Sequence, residues 1–481
     1  MLFPKKIKPN KNFVGRAFEI SKLDQIAKID EASIVIIYGR RRVGKTELIE
    51  QVFRERNLIK FEGLEGQDEM VQRQHVMEEL AEYTKNPLLG KVPTSSWREV
   101  FKYIAAEIKT GSWTLYLEEL QWMANYQTTL ISDLKYVWDN ELRHNPNLIL
   151  VLCGSSPSFM INKVLHSKAL YNRSQHEIAL RPFSFEETRE YLNKYPLKDV
   201  MDAYLSVGGI PEYLKRLKQE SSLYLGLCKE SFVTGGFFTT EHDRIFTSSL
   251  AKNPLYKKII DFLSKQKFAN RTEIAEHLKI ATGGGLSDLL EDLTACGFID
   301  KYAPIDSPES ARIVRYCLRD NFLQFFFKFI QPKITGISRG DFNDRPTQGL
   351  SNDIYLKWLG FAFERACRDS HAIIAKHLGF SAVEYQVGPY FSRSLDKESP
   401  GFQIDLIFDR ADHVYTVCEI KYLQSKVPIR VIAEFEQKLA YLPNQEKYKI
   451  HKVLISTLGA VESVVDRGYF DDFLILEDLF N

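Results

Sequence analysis

The octapeptide Gly39-Arg40-Arg41-Arg42-Val43-Gly44-Lys45-Thr46 fits GxxxxGK[ST], follows the apolar run Ser33 to Tyr38 and precedes the helical run Glu47 to Phe53. That is the context a phosphate-binding loop requires. Its glycines let backbone N–H groups approach a polyphosphate, Lys45 neutralises the outer phosphates, and Thr46 offers a hydroxyl to Mg²⁺. Gly39, Arg42, Val43, Gly44, Lys45 and Thr46 are therefore the expected nucleotide contacts. Three further apolar runs, Leu58 to Phe61, Thr114 to Leu117 and Leu148 to Cys153, alternate with longer helical patterns. Such alternation predicts an α/β fold with a parallel sheet covered by helices.

The chain has 481 residues, which at about 150 per domain suggests roughly three domains. Charged residues at 26% and hydrophobic ones at 44% are ordinary for a globular protein and argue against long disorder. A net charge of +1 gives no global field for nucleic acid or membrane, so any polyanion site must be a local patch. The opening MLFPKKIKPNK has no apolar segment behind it, and the longest apolar runs fall far short of the ~20 residues of a membrane span. No signal peptide, no transmembrane helix and no membrane partner are expected. The six cysteines are scattered without a CxxC pair, which disfavours a disulfide scaffold and a zinc finger and fits a reducing cytoplasm.

Residues 180 to 245 read as a helical lid on the first domain, broken at Gly208-Gly209-Ile210-Pro211. Residues 250 to 330 hold three helix-sized segments, then strand candidates Gly297 to Tyr302 and Arg312 to Leu318, the outline of a winged helix-turn-helix. Gln331 to Asn352, rich in Gly, Pro, Asp and Asn, reads as a linker. Beyond it the pattern is α/β again, with a helix around Leu356 to Ile373, strands near Phe402 to Phe408 and Val414 to Tyr422, a helix over Ile429 to Tyr441 and a strand at Lys452 to Ser456. The expected domains are 1–245, 246–335 and 336–481.

A Mg²⁺-side carboxylate should end a second apolar strand, and Leu115-Tyr116-Leu117-Glu118-Glu119 supplies one. Glu118 is placed at the metal and Glu119 at the attacking water. Asp is usual at the first position, so Glu118 bears on hydrolysis rate more than on binding; an ordinary helix-start carboxylate pair is the simpler alternative. Ser155, in Cys153-Gly154-Ser155-Ser156, is a candidate sensor of the terminal phosphate or a plain strand-end turn.

Together with Phe13-Val14-Gly15-Arg16, LEELQW, CGSS, Arg173 before LRPFS, and GGIPEYL, these motifs resemble the archaeal-type AAA ATPase family. The resemblance implies ATP as ligand, Arg173 as arginine finger in cis or across a homo-oligomer interface, a winged helix, and a C-terminal restriction-endonuclease-like domain. A surface arginine is the alternative for Arg173. Arg40, Arg41 and Arg42 exceed what phosphate needs, so some should form salt bridges or touch nucleic acid.

In the C-terminal part, Gln403 to Phe408 and Val417 to Lys421 read as adjacent strands turning at Ala411 or Asp412, which sets Asp405 opposite Val417 or Glu419. Alternation puts Glu419 and Lys421 on one face and Cys418 and Ile420 toward the core. Asp405 and Glu419 would hold one or two Mg²⁺ or Mn²⁺ ions, with Lys421 stabilising charge on the attacked phosphate. A surface strand with an ion pair is the cheaper alternative. With Glu364 on the preceding helix, the four residues resemble the active positions of the PD-(D/E)xK nuclease core. Gln437 and Lys438 read as a solvated helix face.

The expected recognition helix, Gly283 to Cys296, carries Asp288, Glu291 and Asp292 and no cation, so it suits packing between domains better than a major groove. Lys301, Arg312 and Arg315 remain as backbone contacts on the wing. The leading expectation is an ATPase whose nucleotide state gates a Mg²⁺-dependent DNA nuclease in defence or mobile-element biology, with RNA open as the polymer. The alternative is a nucleotide-switch scaffold that holds nucleic acid or a partner protein without cutting.

Overall fold

The computed structural model describes residues 7–168, 170, 175–250, 253–302, 314–392, 402–443 and 448–480. Its first sheet is parallel, in the order β2 (Asn57–Glu62), β3 (Trp113–Glu118), β4 (Leu148–Gly154), β1 (Ser33–Tyr38), β5 (Gln175–Ala179). β1 and β4 are apolar because helices cover both of their faces. β5 was not expected from the sequence: QHEIA is an edge strand with one buried apolar residue, Ile178, and so lacks the Val/Ile run that marks its neighbours.

The middle unit contains helices Leu255–Ser264, Arg271–Leu278 and Gly284–Ala295 and an antiparallel sheet, β6 (Ala269–Asn270), β8 (Arg315–Leu318), β7 (Ile299–Tyr302). Asn270 and Glu273 form a reciprocal capping box that starts the second helix. The third helix buries Leu286, Leu289, Leu290 and Leu293, and one of its acids, Asp292, accepts a hydrogen bond from the Tyr256 hydroxyl. Arg312 lies outside the described residues.

The second sheet is mixed, in the order β13 (Asp472–Leu474), β12 (Lys449–Ser456), β11 (Val414–Lys421), β10 (Phe402–Arg410), β9 (Tyr385–Ser392). β9, β10 and β11 are antiparallel, whereas β11, β12 and β13 are parallel. Helix Asn352–Asp369 covers one face through Leu359, Ala362 and Phe363. Helix Arg430–Ala440 covers the other through Val431, Ile432 and Phe435. This corrects the expectation of a single core face: Glu419 is fully buried beneath the second helix, although Cys418 and Ile420 do face the first core.

The stretch read as a linker is folded. It forms helix Ile334–Arg339 and a turn at Pro346–Gly349, where a Cβ on Gly349 would lie 2.3 Å from the Phe232 ring. The C-terminal unit also docks on the helical lid: the Tyr422 hydroxyl donates to Asp202 Oδ1 at 2.6 Å, and Tyr355 Oη lies 2.8 Å from Ser206 Oγ.

Candidate functional site

The loop between β1 and helix Lys45–Val52 bends through left-handed backbone at Arg42 (φ 72°) and Gly44 (φ 91°). Gly39 is held so close to β5's exit that a Cβ there would lie 2.1 Å from the Leu180 carbonyl oxygen. Lys45 Nζ donates to the carbonyls of Gly39 at 2.9 Å and Arg40 at 3.1 Å, which folds it back over its own loop. Val43 is wholly buried, and its carbonyl accepts from Arg16 Nη2 at 2.9 Å. Arg16 is itself left-handed (φ 63°), stacks 4.7 Å above the Phe183 ring, and is anchored by Glu187. The FVGR motif thus braces the loop from behind.

A cavity of about 940 Å³ opens on this loop, lined among others by Lys45, Thr46, Glu118 and Glu119, with Phe13, Val14 and Tyr191 on its apolar wall. That is ample for a nucleotide, with cationic, carboxylate and apolar sectors in one cleft. The Thr46 hydroxyl donates to Glu118 Oε1, and Tyr116 Oη donates to the same oxygen at 2.7 Å. The longer Glu118 side chain therefore reaches the P-loop hydroxyl from the end of β3, with β4 lying between β3 and β1. Lys60 on β2 pairs with the other Glu118 oxygen; burial lowers its ammonium, but the charge and hydrogen bond of Glu118 together with Glu62 and Glu50 hold it above the ordinary lysine value.

Glu119, left-handed at φ 50°, turns the other way. Its Oε2 accepts from Ser155 Oγ at 2.6 Å, from the Ser155 amide at 3.2 Å and from Gln121 Nε2 at 2.7 Å. Ser155 is wholly buried behind Glu119, so the structure makes it an orienter of that carboxylate and not a wall of the cavity. Arg173 lies outside the described residues.

Two of the three loop arginines are ion-paired to later parts of the chain. Arg40 is buried, pairs with Asp320 and lies 5.1 Å over the Phe298 ring of the middle unit. Arg42 Nη2 is 3.0 Å from Glu241 Oε2, whose partner oxygen accepts from Tyr213 Oη at 2.7 Å. Arg41 is exposed.

Residues 13–217 match the family model for an ATPase domain predominantly from Archaea. This part of the chain is an archaeal-type ATPase domain. Over 446 residues the chain is 26% identical to an uncharacterized protein of Methanocaldococcus jannaschii, covering 91% of this chain and 94% of that one. The Walker-type ATPase of Pyrococcus abyssi aligns with 68% of this chain and 99% of its own, with a TM-score of 0.50 and 20% identity, a likeness of fold. The ORC2 protein of Aeropyrum pernix aligns with 70% of this chain and 99% of its own at 12% identity and a TM-score of 0.43.

Behind the ATPase domain, the β10–β11 ladder pairs Leu406 with Cys418, and its next step sets Asp405 opposite Glu419. The β9–β10 register slips between Ile404 and Ile407, a bulge that contains Asp405. Asp405 Oδ2 accepts from the Ile420 amide at 3.4 Å. Burial and the charge of Glu419 both push the Asp405 carboxyl up. Glu364, half-buried on helix Asn352–Asp369, is raised to about 7 by burial and then by Asp405. The structure thus brings Glu364, Asp405, Glu419 and Lys421 into one electrostatic cluster.

Glu419 lies between two ammonium groups, Lys421 at 2.8 Å from Oε1 and Lys438 at 2.7 Å from Oε2. Lys438 is therefore part of the site, which corrects its reading as a solvated position. Glu434, one helical turn earlier, pairs with Lys421 at 3.5 Å, so one face of that helix serves the site. Burial lowers Lys421, but Glu419, Glu434 and Asp405 together hold the ammonium above its ordinary value. Among the described residues no group of three His, Cys, Asp or Glu side chains is arranged to hold a metal ion. Asp405 and Glu419 still offer two crowded carboxylates, which suffices for Mg²⁺, an ion that keeps several waters. A cation there would relieve the repulsion that raises Asp405 and would share Glu419 with its lysines.

Besides Lys438, sequence reasoning missed Lys60, Gln121, Glu241 and Asp320. Lys60 carried one signal, its place near the carboxyl end of a strand in a parallel sheet, where ligand groups gather.

Proposed function

We propose that the ATPase domain binds and hydrolyses ATP, and that its nucleotide state gates a Mg²⁺-dependent phosphodiesterase in the C-terminal domain that acts on DNA, with a winged helix as the joint. The observation that carries the gating is a pair of adjacent residues. Asp320 holds Arg40 of the P-loop, while Arg319 pairs at 3.5 Å with Asp369 on the helix that carries Glu364. A change in loop shape on nucleotide binding thereby acts on an element of the second site.

At the first site Lys45 neutralises phosphate, Thr46 and Glu118 would hold Mg²⁺, and Glu119 takes a proton from water in the orientation set by Ser155 and Gln121. At the second, Asp405 and Glu419 would hold Mg²⁺, with Mn²⁺ as a substitute, and Lys421 stabilises charge on the attacked phosphate. A bound divalent cation supplies Lewis-acid stabilisation and a more acidic water. Lys421→Ala tests the assignment: it should abolish Mg²⁺-dependent cutting and spare ATP hydrolysis, and equal cutting by wild type and variant would sink the phosphodiesterase.

The second reading is a nucleotide-switch scaffold that binds nucleic acid or a partner without cutting. The two lysines that already engage Glu419 favour it, and retained polymer binding without cleavage in any divalent cation would establish it.

A further inference from the structure

Helix Asn352–Asp369 and the middle unit meet along a seam rich in cations. From the middle unit, Lys267, in the turn before β6, donates through Nζ to Gln403 Oε1 at 2.7 Å. Gln403 in turn leads to Asp405, Nε2 to Oδ1 at 3.4 Å. From the helix, Arg368 Nη1 donates to the main-chain oxygen of Asp405 at 3.3 Å. Arg365 comes one turn before Arg368, on the side of the helix that faces Cys317 of β8. Its Nε and Nη2 are enclosed and have no hydrogen-bond partner among the described residues.

A guanidinium carries five donors and is a costly group to enclose without acceptors. Burial, and after it the charge of Arg368, pull Arg365 down to about 10 against the opposing charges of Glu364 and Asp369. Lys267 is likewise lowered by burial. Lys267 and Arg368 are oriented by a neutral amide and a main-chain carbonyl, acceptors whose place a phosphate oxygen can take. Cations held by neutral acceptors beside a carboxylate pair match the backbone of a nucleic acid, where charge-assisted bonds to phosphate are the strong ones.

We propose that this seam is a binding site for the phosphodiester backbone of a nucleic acid, in which Arg365 donates its two unused N–H groups to a phosphate and Lys267 and Arg368 flank it. In the closed arrangement those donors are shut from water, so the seam parts to admit the strand, and the unpaired guanidinium favours the parting. A backbone seated there passes beside Asp405. What happens after binding rests on the phosphodiesterase reading of Asp405 and Glu419; the binding itself does not.

The test measures fluorescence anisotropy of labelled duplex DNA, single-stranded DNA and RNA of one sequence against the full chain without divalent cation, across a salt series. Arg365→Met and Lys267→Gln should each weaken binding about tenfold, the order of one lost charge-assisted bond, and reduce the salt slope by about one. The arms show which polymer fits. Arg365→Met should leave the melting temperature unchanged or raised, since a charge without a partner is removed. Lys28→Gln, a change at an exposed position of the ATPase domain, should bind as wild type. Wild-type affinity and slope in Arg365→Met, or an equal loss in Lys28→Gln, would overturn the proposal. Should Arg365→Met fail to fold, unchanged binding by Lys267→Gln overturns it alone. Binding that weakens as expected in a chain that never cuts leaves this site standing and removes the phosphodiesterase.

Discussion

Arg40 of the P-loop and Asp320, 280 residues further along the chain, form an ion pair whose two side chains are almost shut from solvent. Asp320 also caps helix Asn321–Phe325, accepting from the Leu323 amide at 2.7 Å. The nucleotide loop is thus tied to the segment that leaves the middle unit, and a buried pair of this kind is felt when one partner goes.

Arg40→Met should destabilise the full chain by about 3–5 kcal/mol, because it leaves Asp320 buried without its counter-charge. Adding Asp320→Leu should recover most of that loss, since both charges then vanish together. Urea unfolding of the two variants against wild type checks the non-additivity.

Glu119→Gln should lower the ATP hydrolysis rate by about 10²–10⁴-fold with nucleotide affinity retained, as expected on removing a general base. Ser155→Ala should cost less, because Gln121 still holds the same oxygen at 2.7 Å. Steady-state hydrolysis together with a nucleotide titration separates the two effects.

Much of this was legible in the sequence. Ser33 to Tyr38 and GRRRVGKT fixed β1, the loop and the helix behind it, and the two-residue alternation of Val417 to Lys421 set Glu419 and Lys421 together. What escaped was long-range. No local pattern links Arg40 to Asp320 or Arg42 to Glu241, since each pairing depends on how separate units dock. Lys438 looked solvated because a helix face is assigned by what covers it, and the cover here is a carboxylate on a strand. β5 and β9 were missed because edge strands need no continuous apolar run.

His242 follows Glu241 and is stacked 4.5 Å from the Phe326 ring. Burial lowers its pKa below 6.5, outweighing Asp243 and Asp261, while Lys257 lowers it further. The folded state therefore resists protonation that the unfolded chain accepts, so stability should fall as pH drops below about 6.5, by at most about 1.4 kcal/mol per pH unit. His242→Phe should remove this part of the pH dependence, which the difference between the two urea-unfolding profiles from pH 7 to pH 5 would show.

The most direct measurement of the central claim is the rate of plasmid cleavage in Mg²⁺, with and without ATP, for wild type and Asp405→Ala. Wild type should cleave at a rate that changes with ATP, and Asp405→Ala should not cleave. Cleavage that persists in Asp405→Ala, or that is the same with and without ATP, would contradict that claim.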